Sequence, residues 1–269
     1  MQYTTYYHSK RPSPSGPPRT SQNKKPRRRL RRSLIAIGAI GLSALVLGSG
    51  LPHANHASAA PAKQYAKSQT VCLDPGHGGS DPGALSSDGS ISERDINLIV
   101  ADRVETNLEN KGYQVFMTRT SNVPTLSNHD RYTYCNKMHA TILLSIHHNF
   151  YSDSSVDYSA ALFYKDQDQT LATSVLNSVA TDLNLQNDNI SQFDDGVLSE
   201  SNMPAALSEG LFISSDAEYS LLTATGSTRL KKEADAITKG IINYFTKPSS
   251  QQSVINKNPQ QIERNDGGA

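Results

Sequence analysis

The chain has 269 residues, 36% of them hydrophobic, which suits one moderate domain with a core of its own. Its 26 basic and 25 acidic residues nearly cancel, but residues 1–59 hold ten Lys or Arg and no acid. That leaves 16 basic and 25 acidic residues beyond Ala59, a net charge of about −9, so the larger part offers no polyphosphate-binding surface and nucleic acid is excluded as a partner.

Residues 1–33 are polar, Pro-rich and basic, and are expected to be disordered. The basic run Lys24 to Arg32 stands directly before an apolar stretch, Leu34 to Leu51. This order keeps positive charge on the cytoplasmic side while the apolar stretch enters the bilayer. Ala57-Ser58-Ala59 has the small-x-small pattern of a signal-peptidase site. Residues 34–59 are therefore expected to be an export signal cleaved after Ala59. If uncleaved they would be a membrane anchor, since the apolar run nearly spans a hydrocarbon layer of ~30 Å. Both readings put the rest of the chain outside the cell, free or on the outer face of the cytoplasmic membrane. Residues 60–68 read as a linker, 69–246 as the one folded domain, and 247–269 as a disordered polar tail. The sequence shows no internal repeat.

Within residues 69–246, strand-like and helix-like stretches alternate. Gln69 to Leu73 predicts a short buried strand ending in Gly-rich sequence. Ser92 predicts the cap of a helix to about Lys111, with Ile96, Ile99, Val100, Val104 and Leu108 at helical spacing and Gly112 as terminator. Tyr113 to Thr118 reads as strand, Asn128 to Met138 as helix, Thr141 to Ile146 as buried strand and Ala160 to Tyr164 as strand. Gln169 to Leu183 reads as helix, Ala205 to Ile213 as a late strand, and Thr228 to Phe245 as a closing helix. The alternation predicts a single α/β domain, a mostly parallel sheet covered by helices on both faces. Its two cysteines, Cys72 and Cys135, fall in a buried strand and a helix. Export permits a disulfide between them, but buried Cys behaves as a small hydrophobe, and two free thiols are the expectation.

In such sheets sites form beyond the carboxyl ends of strands. His77 follows the first predicted strand within Leu73-Asp74-Pro75-Gly76-His77-Gly78-Gly79, where glycines permit tight turns and close backbone approach. Asp74 would hold this loop or accept from the imidazole N–H. His147 and His148 end a middle strand. Adjacent residues face opposite ways, so only one points at a given site, and parity alone leaves the choice open. Glu93 reads either as an exposed first-turn glutamate or as a ligand. Glu209 lies in Ala205-Ala206-Leu207-Ser208-Glu209-Gly210-Leu211, where a carboxylate in apolar company needs a reason. Burial would raise its pKa, as suits a base that takes a proton from water and returns it. Two imidazoles and a carboxylate can hold a zinc ion with one position left open.

The ordered run of these segments with Ser92-Glu93-Arg94, Thr118-Arg119, Leu144-Ser145-Ile146-His147-His148-Asn149 and Pro204-Ala205-Ala206-Leu207-Ser208-Glu209 resembles the zinc-dependent N-acetylmuramoyl-L-alanine amidases, the amidase type 3 family of bacterial cell-wall hydrolases. The resemblance extends from about Thr70 to Phe245. It implies a Zn2+ cofactor held by His77, Glu93 and His147, with Glu209 as the catalytic glutamate, and so favours His147 over His148. It implies peptidoglycan as substrate, cut at the amide between N-acetylmuramic acid and the L-alanine of the stem peptide. A protein activator is left open. One departure from the family is His148, which stands where a small residue is usual and is expected to crowd or hydrogen-bond substrate near the metal. Two other readings remain: a catalytically idle wall-binding scaffold of the same fold, and a zinc peptidase cutting within the stem peptide.

Overall fold

The most apolar segments of the chain become the centre of a sheet. The computed structural model describes residues 67–247, so the basic head, the apolar export segment and nearly all of the polar tail lie outside the described residues. Strands β1 (Thr70–Pro75), β3 (Ile142–Asn149) and β6 (Ala205–Phe212) are almost continuously buried, the pattern of strands covered on both faces. With β2 (Gln114–Met117), β4 (Ser159–Phe163) and β5 (Asn187–Gln192) they form one six-stranded sheet in the order β2-β1-β3-β6-β4-β5. Neighbouring strands are parallel except β4 against β6.

Helices cover both faces. Helix α1 (Glu93–Glu109) starts at Ser92, whose side chain accepts from the Asp95 N–H, and buries Ile96, Val100, Val104 and Leu108 at helical spacing. Helices α3 (Gln169–Leu183) and α6 (Arg229–Thr246) pack on the same side as α1, over Val71, Leu73, Ile142, Leu144 and Ile146. Each such leucine, fully buried, stabilises the fold by about 1.5–3 kcal/mol. Helix α2 (Asn128–Lys137), opened by a Ser127/Asp130 capping box, and the single turn α4 (Gly196–Ser199) lie on the other face, over Cys72, Leu143, Ala205 and Leu207. Helix α5 (Asp216–Thr223) precedes α6. No helix among the described residues is long and apolar enough to cross a membrane.

The structure departs from the sequence reading in three ways. Strands β1 and β3 run on to Pro75 and Asn149, past the expected ends at Leu73 and Ile146. Elements β5, α4 and α5 had no counterpart; β5 is an edge strand with mostly polar, exposed residues, which carries no apolar alternation. Cys72 and Cys135, expected as free thiols, are joined in a disulfide with Cα atoms 5.7 Å apart. Both were rightly placed at buried positions, but Cys72 shares the sheet face that α2 covers, so the two thiols are buried against each other.

Candidate active site

The loop after β1 is clamped by two guanidinium groups. Asp74 is fully buried and accepts from Arg131 Nη1 at 2.8 Å, Thr118 Oγ1 at 2.6 Å and Ser145 Oγ at 2.8 Å. Burial alone would raise its pKa, but the Arg131 charge and these donors together hold it below the ordinary value. Arg131 also donates to the carbonyls of Pro75 and His77, at 3.0 and 2.8 Å, and Arg119 to those of Pro75 and Gly76, at 2.9 and 2.8 Å. Backbone that would otherwise be free is thus fixed, and His77 is held at φ +62°, in the left-handed region that costs a non-glycine residue about 1–3 kcal/mol.

His77 then reaches the site with its ring oriented. Its Nδ1 donates to Asp81 Oδ2 at 2.8 Å, which leaves Nε2 facing Glu93 Oε2 at 2.9 Å. Asp81, and not Asp74, therefore orients the imidazole. The signal that was available is the i, i+4 spacing of His77 and Asp81, closed by the paired backbone hydrogen bonds of Gly78 and Asp81. Glu93 is only 4% exposed, because Ala84 N donates to Oε2 at 2.9 Å and His148 N to Oε1 at 3.2 Å. Burial would raise its pKa, but the hydrogen bonds and charges of His147 and His77 outweigh that and hold it well below the ordinary range.

Strand parity resolves the two adjacent histidines. His147 shares with Leu143 and Ser145 the face that α2 and α4 cover, and its Nδ1 lies 2.9 Å from Glu93 Oε1. His148 shares with Ile146 the opposite face, beneath α1 and α6, where it is 2% exposed and bonded to Asn97 and Glu233. Its expected contact with substrate is therefore overturned, because its side chain is fully buried beneath α1 and α6. The imidazole is raised above its ordinary pKa: burial opposes the charge, but the Glu233 carboxylate outweighs it.

One ligand atom each from His77, Glu93 and His147 lies within 4.8 Å of the other two. Close backbone approach makes this possible. A Cβ on Gly76 would stand 2.2 Å from the His147 ring, and one on Gly83 would stand 2.6 Å from Glu93 Oε2. Glu209 stands outside the triad, opposite His147 in the β3–β6 register. Its Oε2 is buried without a hydrogen-bond partner among the described residues. Burial, with the nearby Glu93 and Glu233 charges, pushes its pKa well above the ordinary range. All four residues singled out from the sequence are thus brought to one end of the sheet. Two imidazole nitrogens, one of them on a ring oriented by the Asp81 carboxylate, and a deprotonated carboxylate form a donor set that fits zinc with an open position.

Residues 71–243 match the family model described as N-acetylmuramoyl-L-alanine amidase. The chain belongs to this family. It is 32% identical over 181 residues to the probable cell wall amidase LytH of Staphylococcus epidermidis, an alignment that covers 67% of this chain and 60% of that relative. The chain thus spans about three fifths of the curated relative it matches. Among solved structures of amidases, AmiC2 of Nostoc punctiforme aligns with a TM-score of 0.62 at 28% identity, over 66% of this chain and 98% of that one. The CwlD amidase of Clostridioides difficile, solved in complex with the GerS lipoprotein, aligns with a TM-score of 0.62 at 29% identity, over 66% of this chain and 98% of that one. The single α/β domain with its mostly parallel six-stranded sheet is the fold of these amidase structures.

Proposed function

We propose that this amidase hydrolyses the amide between the lactyl group of N-acetylmuramic acid and the L-alanine of the peptidoglycan stem peptide. His77, Glu93 and His147 hold a zinc ion, and Glu209 is the general base. The observation that carries the reading is a pair of unlike carboxylates at one strand end. Glu93 is held ionised between two imidazoles, as a ligand must be, whereas Glu209 is half-buried, its Oε2 is enclosed without a partner among the described residues, and its pKa is raised, as suits a group that takes up a proton and gives it back. A bound zinc ion would polarise the scissile carbonyl and lower the pKa of the attacking water.

The remaining steps fall to the chain's own groups. Glu209 accepts a proton from water as the water oxygen adds to the carbonyl carbon. It then returns that proton to the alanine nitrogen as the C–N bond breaks, leaving a lactyl carboxylic acid and a free amine, and the acid then ionises to the carboxylate by losing its proton to solvent. His77 keeps one orientation through Asp81. The Asp74–Arg131 pair and Arg119 keep the loop from drifting as charge moves. Such fixed geometry is what preserves a near-attack arrangement.

Export by residues 34–59, action in the wall or at the outer membrane face, and membrane attachment if that segment is retained belong to the same proposal, on the basic-then-apolar order of the sequence. The lipoprotein complex of CwlD makes a protein partner part of it as well.

The experiment is mass spectrometry of purified peptidoglycan digested by the zinc-loaded protein and by its Glu209→Gln variant. Wild type is expected to release stem peptides with a free L-alanine amine. The variant is expected to bind zinc normally but turn over about 10²–10⁴-fold more slowly. Near-normal turnover by the variant sinks the role of Glu209. Cut stems still attached to muramic acid make the enzyme a peptidase, and no products from a zinc-loaded fold leave the idle scaffold.

A further inference from the structure

Behind the site, on the face of the sheet away from Glu209, lies a chain of buried polar groups that the proposed reaction does not use. Glu233 is on α6 and fully buried, as is Asn97 on α1, and His148 is between them. Glu233 Oε2 lies 3.0 Å from His148 Nε2, and His148 Nδ1 lies 2.6 Å from Asn97 Oδ1. Asn97 Nδ2 donates in turn to the Gly76 carbonyl at 3.2 Å and to Glu93 Oε1 at 3.4 Å.

The acceptors dictate the direction of this chain. The Gly76 carbonyl and the Glu93 carboxylate can only accept, so the Asn97 amide must turn its NH2 toward them and its oxygen toward His148. The His148 Nδ1 must then donate, and its Nε2, facing a carboxylate, donates as well. From the His148 ring one donation runs back to Glu233, and the others run through Asn97 to the metal-ligand carboxylate and the loop that carries His77.

Such a chain is costly where it stands. Its neighbours on this face, Val100, Ile146 and Ile237, belong to the apolar core. Placing an ion pair there costs several kcal/mol per ion before its attraction is counted. A leucine and an alanine would fill such space without that cost, so packing does not explain Glu233. A second contact gives it a further reach. Glu233 Oε1, unpartnered among the described residues, lies where a Cβ on Gly210 would stand only 2.0 Å away. Gly210 falls in the β-bulge between the His147–Glu209 and Asn149–Phe212 pairs, directly after Glu209.

We propose that Glu233 is a positioning residue of this site: through the His148 ring and the Asn97 amide it fixes Glu93 for zinc, and through Gly210 it seats the bulge that presents Glu209. The inference rests on the zinc reading given above. The predicted signature is a change in metal affinity transmitted from a side chain that touches neither metal nor substrate.

The test uses the full chain, with zinc affinity measured by chelator competition, kcat and KM on peptidoglycan, and thermal unfolding of the metal-free protein. Glu233→Leu, which removes the acceptor at similar volume, is expected to bind zinc about 10–100-fold more weakly and to lose kcat with KM unchanged. Glu233→Gln keeps an acceptor for His148 Nε2 and should regain most of that affinity. Adding Glu233→Leu to Asn97→Ala should weaken zinc binding little beyond Asn97→Ala alone, because the two act through one path. Wild-type zinc affinity in Glu233→Leu, whatever its unfolding temperature, would make Glu233 merely structural and overturn the proposal. If Glu233→Leu does not fold, Asn97→Ala is read in its place, and wild-type affinity there overturns it equally. Failure of the wild-type chain itself to take up zinc would remove the zinc reading together with this inference. That result is distinct from a variant that binds as tightly as wild type.

Discussion

Asp74 has no access to water, yet the loop that delivers His77 depends on its charge. It accepts three side-chain hydrogen bonds, and Arg131, which donates one of them, also holds the carbonyls of Pro75 and His77. Its pKa is lowered in the folded state, because the Arg131 charge and the donors overcome the effect of burial. In the unfolded chain it should titrate near the usual aspartate value of about 3.9. The stabilisation is therefore complete above that value. As pH falls below it, the unfolded chain takes up a proton that the folded chain resists, and the contribution is lost as pH passes through the folded value. Asp74→Asn leaves Arg131 buried without its counter-charge, which should cost about 3–5 kcal/mol at pH 7. Urea midpoints of the metal-free proteins at pH 7 and near pH 3 would show this: the gap between wild type and variant should narrow in acid. A gap independent of pH would mean that the charge of Asp74 is not what the fold uses.

At the scale of elements, the disulfide ties β1, which leads into the His77 loop, to α2, which supplies Arg131. The cysteines are 63 residues apart, so closing that loop removes enough unfolded-chain entropy to stabilise the fold by roughly 4 kcal/mol. Replacing both cysteines by Ala should lower the denaturant midpoint, with a somewhat larger m-value because the unlinked unfolded chain exposes more surface. A midpoint within experimental error of wild type would show that the bridge adds nothing beyond the packing of β1 on α2. Neither the bridge nor its role was legible from the sequence, since burial of each cysteine could be read but the sheet face they share could not. The same limit applied to His147 and His148. Parity separated them, but which face opens depends on where α1 and α6 pack. Elements with strong internal pattern were legible: α3 was read to the residue, and α1 and α6 within two, from their 3.6-residue spacing. Strand β5, with the exposed residues of Asn187–Gln192, has no such pattern and is held by pairing with β4. Glu93 was legible only through resemblance, because a glutamate in a first turn is ordinarily exposed. Here the turn from His77 to Ala84 folds over it and supplies the Ala84 N–H.

For the whole molecule, the three ligand groups come from three separate pieces of chain: the loop after β1, the first residue of α1 and the end of β3. A single ion there would join segments 16 and 54 residues apart in sequence, His77 to Glu93 and Glu93 to His147. Because unfolding would scatter them, an ion bound to the folded chain alone must raise stability by mass action. At a free zinc concentration 100 times Kd the gain is about 2.7 kcal/mol. With roughly 2–4 °C in Tm per kcal/mol for a domain of this size, the expected shift is about 5–10 °C. The shift should be reversed by a chelator, kept in Glu209→Gln, and abolished in His147→Ala. That pattern separates the residue assigned to hold the ion from the one assigned to move protons, without requiring any turnover. An equal shift in His147→Ala would place zinc elsewhere on the chain. Loss of the shift in Glu209→Gln would make Glu209 a ligand, and its raised pKa would then describe only the metal-free protein.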